Sequence, residues 1–201
     1  MNWKHELERR PELRKAVKGN FGYITAKRRQ VIIRTLIFFA ISLSIFIAGY
    51  VTTGTRKNLL TVVAVLGCLP ACKSMVNMIM LIRATGCSKE AKEVLAPLEG
   101  RLIGMYDMYF TSYQKNFAIS HMIVEGKIIL GYTESERCDG KACGEHLQTM
   151  LKQGGFKDMT IKISNDLKTY AGQLKNLNEM KQENNPLKDD EVRVLLYDIS
   201  L

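Results

Sequence analysis

Two apolar stretches decide the fold of this chain: VIIRTLIFFAISLSIFIAGYV at residues 31–51 and LLTVVAVLGCLPACKSMVNMIMLI at residues 59–82. At 1.5 Å per helical residue, each is long enough to cross a hydrocarbon core about 30 Å thick. The connecting segment, TTGTRKN, has only seven residues, so the two helices must run antiparallel. The sequence therefore predicts a two-helix transmembrane hairpin over residues 31–83. A cleaved signal peptide is the weaker interpretation, because the first stretch is long, starts at residue 31 and is followed by a second one.

The basic residues of the chain are concentrated around these stretches. The net charge of the 201 residues is +9; residues 1–30 carry +6, whereas residues 86–201 carry −2. Nucleic-acid binding needs clustered cations on a folded surface, and the faintly acidic C-terminal part does not supply them. Cations beside apolar helices instead favour contact with anionic lipid headgroups. We expect these basic residues to contact the lipid bilayer and not nucleic acid.

The distribution of Lys and Arg also predicts an orientation. Nine basic residues precede the first stretch, and the exit from the second contains Arg83, Lys89 and Lys92, whereas the short loop has only Arg56 and Lys57. The positive-inside rule then places both termini in the cytoplasm. The predicted organisation is a basic cytoplasmic N-terminal flank (1–30), the hairpin (31–83) and a cytoplasmic α/β domain (84–201).

The two apolar stretches also contain polar and small residues. Lys73 either lines an ion or substrate path, with Asn77 one turn further on, or extends its ammonium group to the interface. Small residues recur at helical spacing, and such residues let two helix backbones approach closely. The predicted packing stripes consist of Ala40, Ser44 and Ala48 in the first helix and of Ala64, Cys68 and Cys72 in the second.

The C-terminal part alternates between helical and strand-like patterns. Ser88 is a suitable N-cap for a first helix, and the step Glu125-Gly126 predicts a tight turn between two strands. The predicted strands are 105–113, 117–124, 127–133, 159–164 and 191–200, with further helices over 140–153 and from residue 165 or 166 onward. The order α-β-β-β-α-β-α-β predicts a mixed α+β domain with helices packed on a sheet.

Three groups of residues could carry chemistry, and none of them forms a complete motif. Cys138, Cys143 and His146 suggest zinc, but their spacing is unusual for a zinc site, and a fourth ligand is missing unless Asp139 or a distant residue supplies it. Asp107, Glu125 and Lys127 weakly resemble the metal-binding core of PD-(D/E)xK nucleases, although Glu125-Gly126 is better explained as a turn. His121 lies in an apolar strand, where a buried histidine with hydrogen-bond partners is more common than a base. We therefore assign no catalytic, cofactor-binding or metal-binding residue.

The lead-in YITAKRRQ (23–30), the hairpin and the α/β tail together resemble small two-pass membrane proteins of Gram-positive anaerobic bacteria. The resemblance implies a bacterial plasma membrane and no particular activity. The leading hypothesis is a non-enzymatic module that the hairpin holds at the membrane and that binds a second copy of itself or a membrane protein partner. The alternatives are a membrane-tethered metal-dependent hydrolase that uses Asp107, Glu125 and Lys127, and a small channel or transport accessory lined by Lys73.

Overall fold

The computed structural model describes residues 18–55, 58–113, 115–180 and 186–201. Most of the predicted basic flank, residues 1–17, lies outside these ranges, as do the loop cations at 56 and 57. The chain divides into two compact units, one of residues 25–84 and one that combines the N-terminal segment up to Ile24 with residues 85–201.

The first unit is a helical hairpin. Helix α1 covers Tyr23–Thr53 and helix α2 covers Leu59–Arg83, and both are long and apolar enough to cross a membrane. Asn58 caps α2 by accepting a hydrogen bond from the Thr61 N–H. Most of the apolar side chains point away from the partner helix, with Val51 74% exposed and Leu59 78% exposed.

The two helices contact each other at intervals of seven residues. Thr35 and Ser74 share a buried hydrogen bond of 2.7 Å between their hydroxyl groups. One heptad earlier in α1, the Arg28 guanidinium donates to the Leu81 carbonyl oxygen at 2.9 Å. The contact one heptad later is Ser42 with Gly67, and the next is Gly49 with Leu60. A constant seven-residue register is typical of antiparallel coiled-coil packing.

This register corrects the predicted packing stripe of α1. Ala40, Ser44 and Ala48 are exposed, and the buried positions of that helix include Val31, Thr35, Ser42 and Gly49. In α2, Ala64 is buried as predicted, whereas Cys72 is exposed. Glycine lets the helices approach closely at Gly49 and Gly67, because an added Cβ would lie 2.7 Å from the Leu60 Cβ and 2.9 Å from the Ser42 Oγ. The true stripe includes hydroxyl residues and one valine, which a search for small residues alone does not find.

The second unit is a four-stranded mixed sheet between helices, and the α+β class is confirmed. Its elements are α3 (Lys89–Glu99), β1 (Gly104–Thr111), β2 (Asn116–Glu125), β3 (Ile128–Tyr132), α4 (Gly140–Gln153), β4 (Thr160–Ser164), α5 (Leu167–Glu179) and α6 (Pro186–Ile199). Strands β1, β2 and β3 form an antiparallel meander, and β4 pairs parallel to β3. Helices α4 and α6 pack on one face of the sheet, and α3 and α5 pack on the other. Both faces are therefore buried.

The predicted order α-β-β-β-α-β-α is confirmed, but the final strand at 191–200 is wrong. That segment belongs to α6, which begins at Pro186 and has Asp189 in its first turn. Val192 and Leu196 are buried four residues apart, whereas Val194 is 57% exposed. Proline at the first helical position and acidic residues near the N-terminus both favour a helix. These signals outweigh the strand-like alternation that the valines suggest.

Candidate functional site

The two edges of the sheet differ in whether other segments of the domain pair with them. At the β1 edge, the Tyr106 N–H donates to the Gly19 carbonyl oxygen at 2.7 Å, and the Leu201 N–H donates to the Tyr109 carbonyl oxygen at 2.9 Å. Lys18 joins these two covering segments by donating to the Ser200 carbonyl oxygen at 2.7 Å. Covering an edge in this way removes a template for pairing with other chains. The β1 edge is closed.

The β4 edge is open in the described part of the chain. The Thr160 N–H donates to the Lys127 carbonyl oxygen at 2.7 Å, and the Ser164 carbonyl oxygen accepts from the Thr133 N–H at 3.0 Å. In a parallel ladder, alternate residues direct both backbone groups to the same neighbour. The intervening residues, Ile161 and Ile163, therefore point their N–H and C=O groups away from β3. No described strand pairs with them.

A groove of about 700 Å³ runs along this open edge. It is lined by residues of α4, β4 and α5: Gly140, Lys141, Gly144, Glu145, Gln148, Met159, Thr160, Ile161, Lys162, Ile163, Ser164 and Gln173. Gly140 lets α4 pack close to β4, because a Cβ at this position would lie 3.1 Å from the Ile163 carbonyl oxygen. Lys141 and Lys162 outnumber Glu145, so the groove carries a small positive charge.

Asp107 joins the two chain segments that connect the domain to the helical hairpin. Its carboxylate accepts hydrogen bonds from the Cys87 N–H at 2.7 Å and from the Ile24 N–H at 3.3 Å. The residue has a φ of 55°, and β1 and β2 pair on both sides of it but not at Asp107 itself. Burial raises the pKa of Asp107, while the hydrogen bonds from Cys87, Ile24 and neighbouring backbone N–H groups oppose the shift. Asp107 is therefore a structural clamp, not an open ligand.

A second polar network lies in the core between the sheet and α3 and α5. His121 is fully buried, with its Nδ1 2.7 Å from the Tyr170 hydroxyl oxygen and its Nε2 3.1 Å from the Glu99 Oε1. Tyr106 donates its hydroxyl proton to the same Glu99 oxygen. An added Cβ at Gly104 would lie 2.7 Å from both the Glu99 Oε1 and the His121 Nε2, so glycine makes room for this contact. The prediction of a buried histidine with hydrogen-bond partners is confirmed.

Glu99 makes the stability of the domain depend on pH. Burial works to raise its pKa, but hydrogen bonds with His121 and Tyr106 outweigh burial and lower it. A lowered pKa in the folded state stabilises the fold above the unfolded value near 4.5, and this stabilisation is lost as pH falls through the folded pKa. We expect wild type to melt at a higher temperature than Glu99→Gln at pH 7, with a smaller difference at pH 3. Circular dichroism of both full-length proteins in detergent measures this, and a difference that grows on acidification would contradict it.

The structure does not bring together the three residues of the nuclease-like alternative. Asp107 is occupied by backbone N–H groups, and Glu125 forms an ion pair of 2.6 Å with Arg101. Lys127 lies in the turn between β2 and β3. Glu125 is five residues along β2 from the position opposite Asp107, which corresponds to about 17 Å at strand geometry. One metal ion cannot contact both carboxylates at that separation.

The cysteines of the zinc alternative lie side by side in the core. Cys138 is 4% exposed and Cys143 is fully buried. The Cys143 thiol hydrogen-bonds to the Cys138 sulfur, which lowers the pKa of Cys138 against the opposing effect of burial. His146 packs its ring against Phe117, with a centroid distance of 5.8 Å. Within the described ranges, no three His, Cys, Asp or Glu side chains are placed to hold one metal ion.

Comparisons of the chain with protein-family models, with curated proteins and with solved structures found no match. The open β4 edge is the site that sequence reasoning missed. The only sequence signals for it are the shortness of the strand and the two glycines at 140 and 144, four residues apart on one helix face. The covering of the other edge could not be found, because it depends on long-range contacts made by residues 18–20 and 200–201.

Proposed function

We propose that this protein is a two-pass membrane anchor whose cytoplasmic α+β domain binds an extended, acidic segment of a protein partner along β4. The observation that carries this proposal is the contrast between the sheet edges: the chain covers β1 with two of its own segments and leaves β4 open. Strand addition at an exposed edge is a general mode of peptide recognition, in which main-chain hydrogen bonds supply much of the affinity.

The hairpin supports the anchoring half of the proposal. Helices α1 and α2 have 31 and 25 residues, and their most apolar windows are only 17% buried within the protein. Exposing this much apolar surface to water is unfavourable, whereas a hydrocarbon core accommodates it. The excess of Lys and Arg before α1 and after α2 supports an orientation with both termini in the cytoplasm. A bacterial plasma membrane is the location that we propose.

The geometry of β4 supports the binding half. A partner strand can pair with both outward backbone groups of Ile161 and with the outward N–H of Ile163, whereas the Ile163 carbonyl oxygen lies close to Gly140 of α4. Lys162 lies between them, and Lys141 lines the same groove. A second copy of this chain that paired antiparallel about Lys162 would place two lysines opposite each other, which is unfavourable. Charge therefore favours an acidic partner segment over a second copy.

Ile161→Pro tests strand addition directly. Proline removes the outward N–H but none of the hydrogen bonds between β4 and β3, and proline is tolerated on edge strands. The probe is a short capped peptide that alternates valine with glutamate, added to full-length protein in detergent micelles and followed by fluorescence anisotropy. We expect Ile161→Pro to bind it about tenfold more weakly than wild type, since one hydrogen bond is lost and the proline ring obstructs pairing. In wild type the peptide should also protect the Ile163 amide from hydrogen exchange.

Ile161→Ala is the matched control, because it loses the same side-chain packing but keeps the N–H, and it should bind like wild type. The same peptide with lysine in place of glutamate should bind more weakly. Equal binding by the proline and alanine variants would refute strand addition. Protection of the Ile163 amide that rises with protein concentration, without any peptide, would show self-pairing instead. Release of the protein from membranes by alkaline carbonate would refute the anchor.

A further inference from the structure

The hairpin contains basic residues but no acidic ones. Between residues 25 and 84 there are eight Lys and Arg residues and no Asp or Glu. Arg28 is engaged with the C-terminal end of α2, where it donates to the carbonyl oxygens of Leu81 and Ala84. Arg34 and Lys73 are both exposed, and among the described residues neither has an ion-pair or hydrogen-bond partner. Any counter-ion for these two cations must come from outside the hairpin.

The register of the hairpin places Arg34 and Lys73 at nearly the same level. Because Thr35 contacts Ser74, Arg34 is level with residue 75 and Lys73 is level with residue 36. Two residues of helix correspond to about 3 Å along the axis. Lys73 lies near the middle of the apolar stretch 59–82 when that stretch is considered alone. The register places Lys73 level with residue 36, which is near the start of the apolar stretch 31–51 of α1 and far from its end.

The two cations also lie on the same side of the hairpin. Each is the residue immediately before one of the facing hydroxyl residues, Thr35 or Ser74, and so is rotated by about 100° from the contact. In an antiparallel pair of right-handed helices, these two rotations carry both residues to the same side of the plane that contains the axes. Axes of packed helices are about 8–10 Å apart, a gap that two long basic side chains can close.

The depth of the pair suits a phosphate group. Counted from residue 31, where the apolar stretch of α1 begins, Arg34 is about 4.5 Å inside and the level of Lys73 is about 7.5 Å inside. Flexible basic side chains at this depth extend toward the interface, where lipid phosphates lie. Asn77, one turn beyond Lys73 and half-buried, is closer still to that end.

We propose that Arg34 and Lys73 together bind the phosphate of an anionic phospholipid on this face of the hairpin, with Asn77 beside it as a hydrogen-bond donor. The inference rests on the proposed function only in that the hairpin must be embedded in a bilayer. Basic sites between transmembrane helices select anionic headgroups in this way. The site explains why a lysine is present in the apolar stretch of α2 without a water-filled path, which the channel alternative requires.

Native mass spectrometry of the full-length protein released from detergent micelles tests the site, with phosphatidylglycerol and phosphatidylcholine of identical acyl chains as probes. We expect wild type to retain phosphatidylglycerol in preference to phosphatidylcholine. Arg34→Gln combined with Lys73→Gln should reduce this preference by about 30-fold, taking about 1 kcal/mol per cation near a lipid surface. Lys168→Gln combined with Lys175→Gln, which removes two exposed cations of α5, is the matched control and should keep the preference.

Four outcomes separate the explanations. Preference lost in the glutamine pair and kept in Arg34→Lys combined with Lys73→Arg supports a charge site, and the second variant remains informative if the first fails to fold. Preference unchanged in the glutamine pair overturns the site. Displacement of the lipid by millimolar glycerol 3-phosphate would show a site for soluble phosphate and overturn the lipid assignment. A protein that resists carbonate extraction but shows no lipid preference refutes this inference and leaves the anchor intact.

Discussion

Replacing His121 with leucine is expected to lower the free energy of unfolding of the domain by about 3 kcal/mol. The ring of His121 is the partner of both the Tyr170 hydroxyl and the Glu99 carboxylate, at 2.7 Å and 3.1 Å. Leucine fills much of the space but leaves the Tyr170 hydroxyl without its partner in the core, and leaves the Glu99 carboxylate with the Tyr106 hydroxyl alone. Native-state hydrogen exchange of the Met122 and Ile123 amides in the full-length protein measures the change, because these residues are fully buried in the central strand β2.

Tyr170→Phe is the matched control for this prediction. It removes one hydroxyl and leaves the contact between His121 and Glu99, so the expected loss is only about 1–2 kcal/mol. The double variant should lose less than the sum of the two single variants, since both remove the same hydrogen bond. A loss below about 1 kcal/mol for His121→Leu would mean that the network contributes little to stability, contrary to its burial.

The domain shows which parts of a fold local sequence predicts and which it does not. The Ser88 cap of α3, helix α4 and the meander of β1, β2 and β3 follow from a capping residue, glycines and short-range periodicity, and these signals are local. The predicted strand over 191–200 is wrong because the valines of this segment alternate as in a strand, whereas the decisive helix signals, Pro186 and Asp189, precede it.

The candidate sites depend on register and edge coverage, which single-sequence patterns do not contain. Lys73 lies near the middle of α2 by sequence, and only the contact between Thr35 and Ser74 shows that it lies beside Arg34. Likewise, β4 is an ordinary short strand by sequence. Its importance appears only when the segments around Gly19 and Ser200 are found on the opposite edge. Contacts between residues far apart in the chain determine both features.

Asp107→Ala is expected to lower the free energy of unfolding of the domain by about 4 kcal/mol. It should also remove the hydrogen bonds that hold the Cys87 and Ile24 N–H groups. The variant removes the acceptor for the Cys87 and Ile24 N–H groups, and unsatisfied buried donors cost about 1–3 kcal/mol each. Alanine also tolerates the φ of 55° less well than aspartate does. Hydrogen exchange in the full-length protein should show the amides of Ile24 and Cys87 exchanging at least 100-fold faster than in wild type.

Two further variants separate the lost acceptor from the backbone conformation. Asp107→Gly removes the acceptor but relieves the positive φ, so its Ile24 and Cys87 amides should exchange as fast as in Asp107→Ala although its overall stability is higher. Asp107→Asn tolerates the same φ and keeps one acceptor oxygen, so it should protect one of the two amides better than the other. If the glycine variant protected both amides like wild type, Asp107 would not be the clamp. Ile24 and Cys87 belong to the two segments through which the domain is connected to the hairpin. The exchange rates of their amides therefore measure how much the Asp107 hydrogen bonds stabilise these two segments.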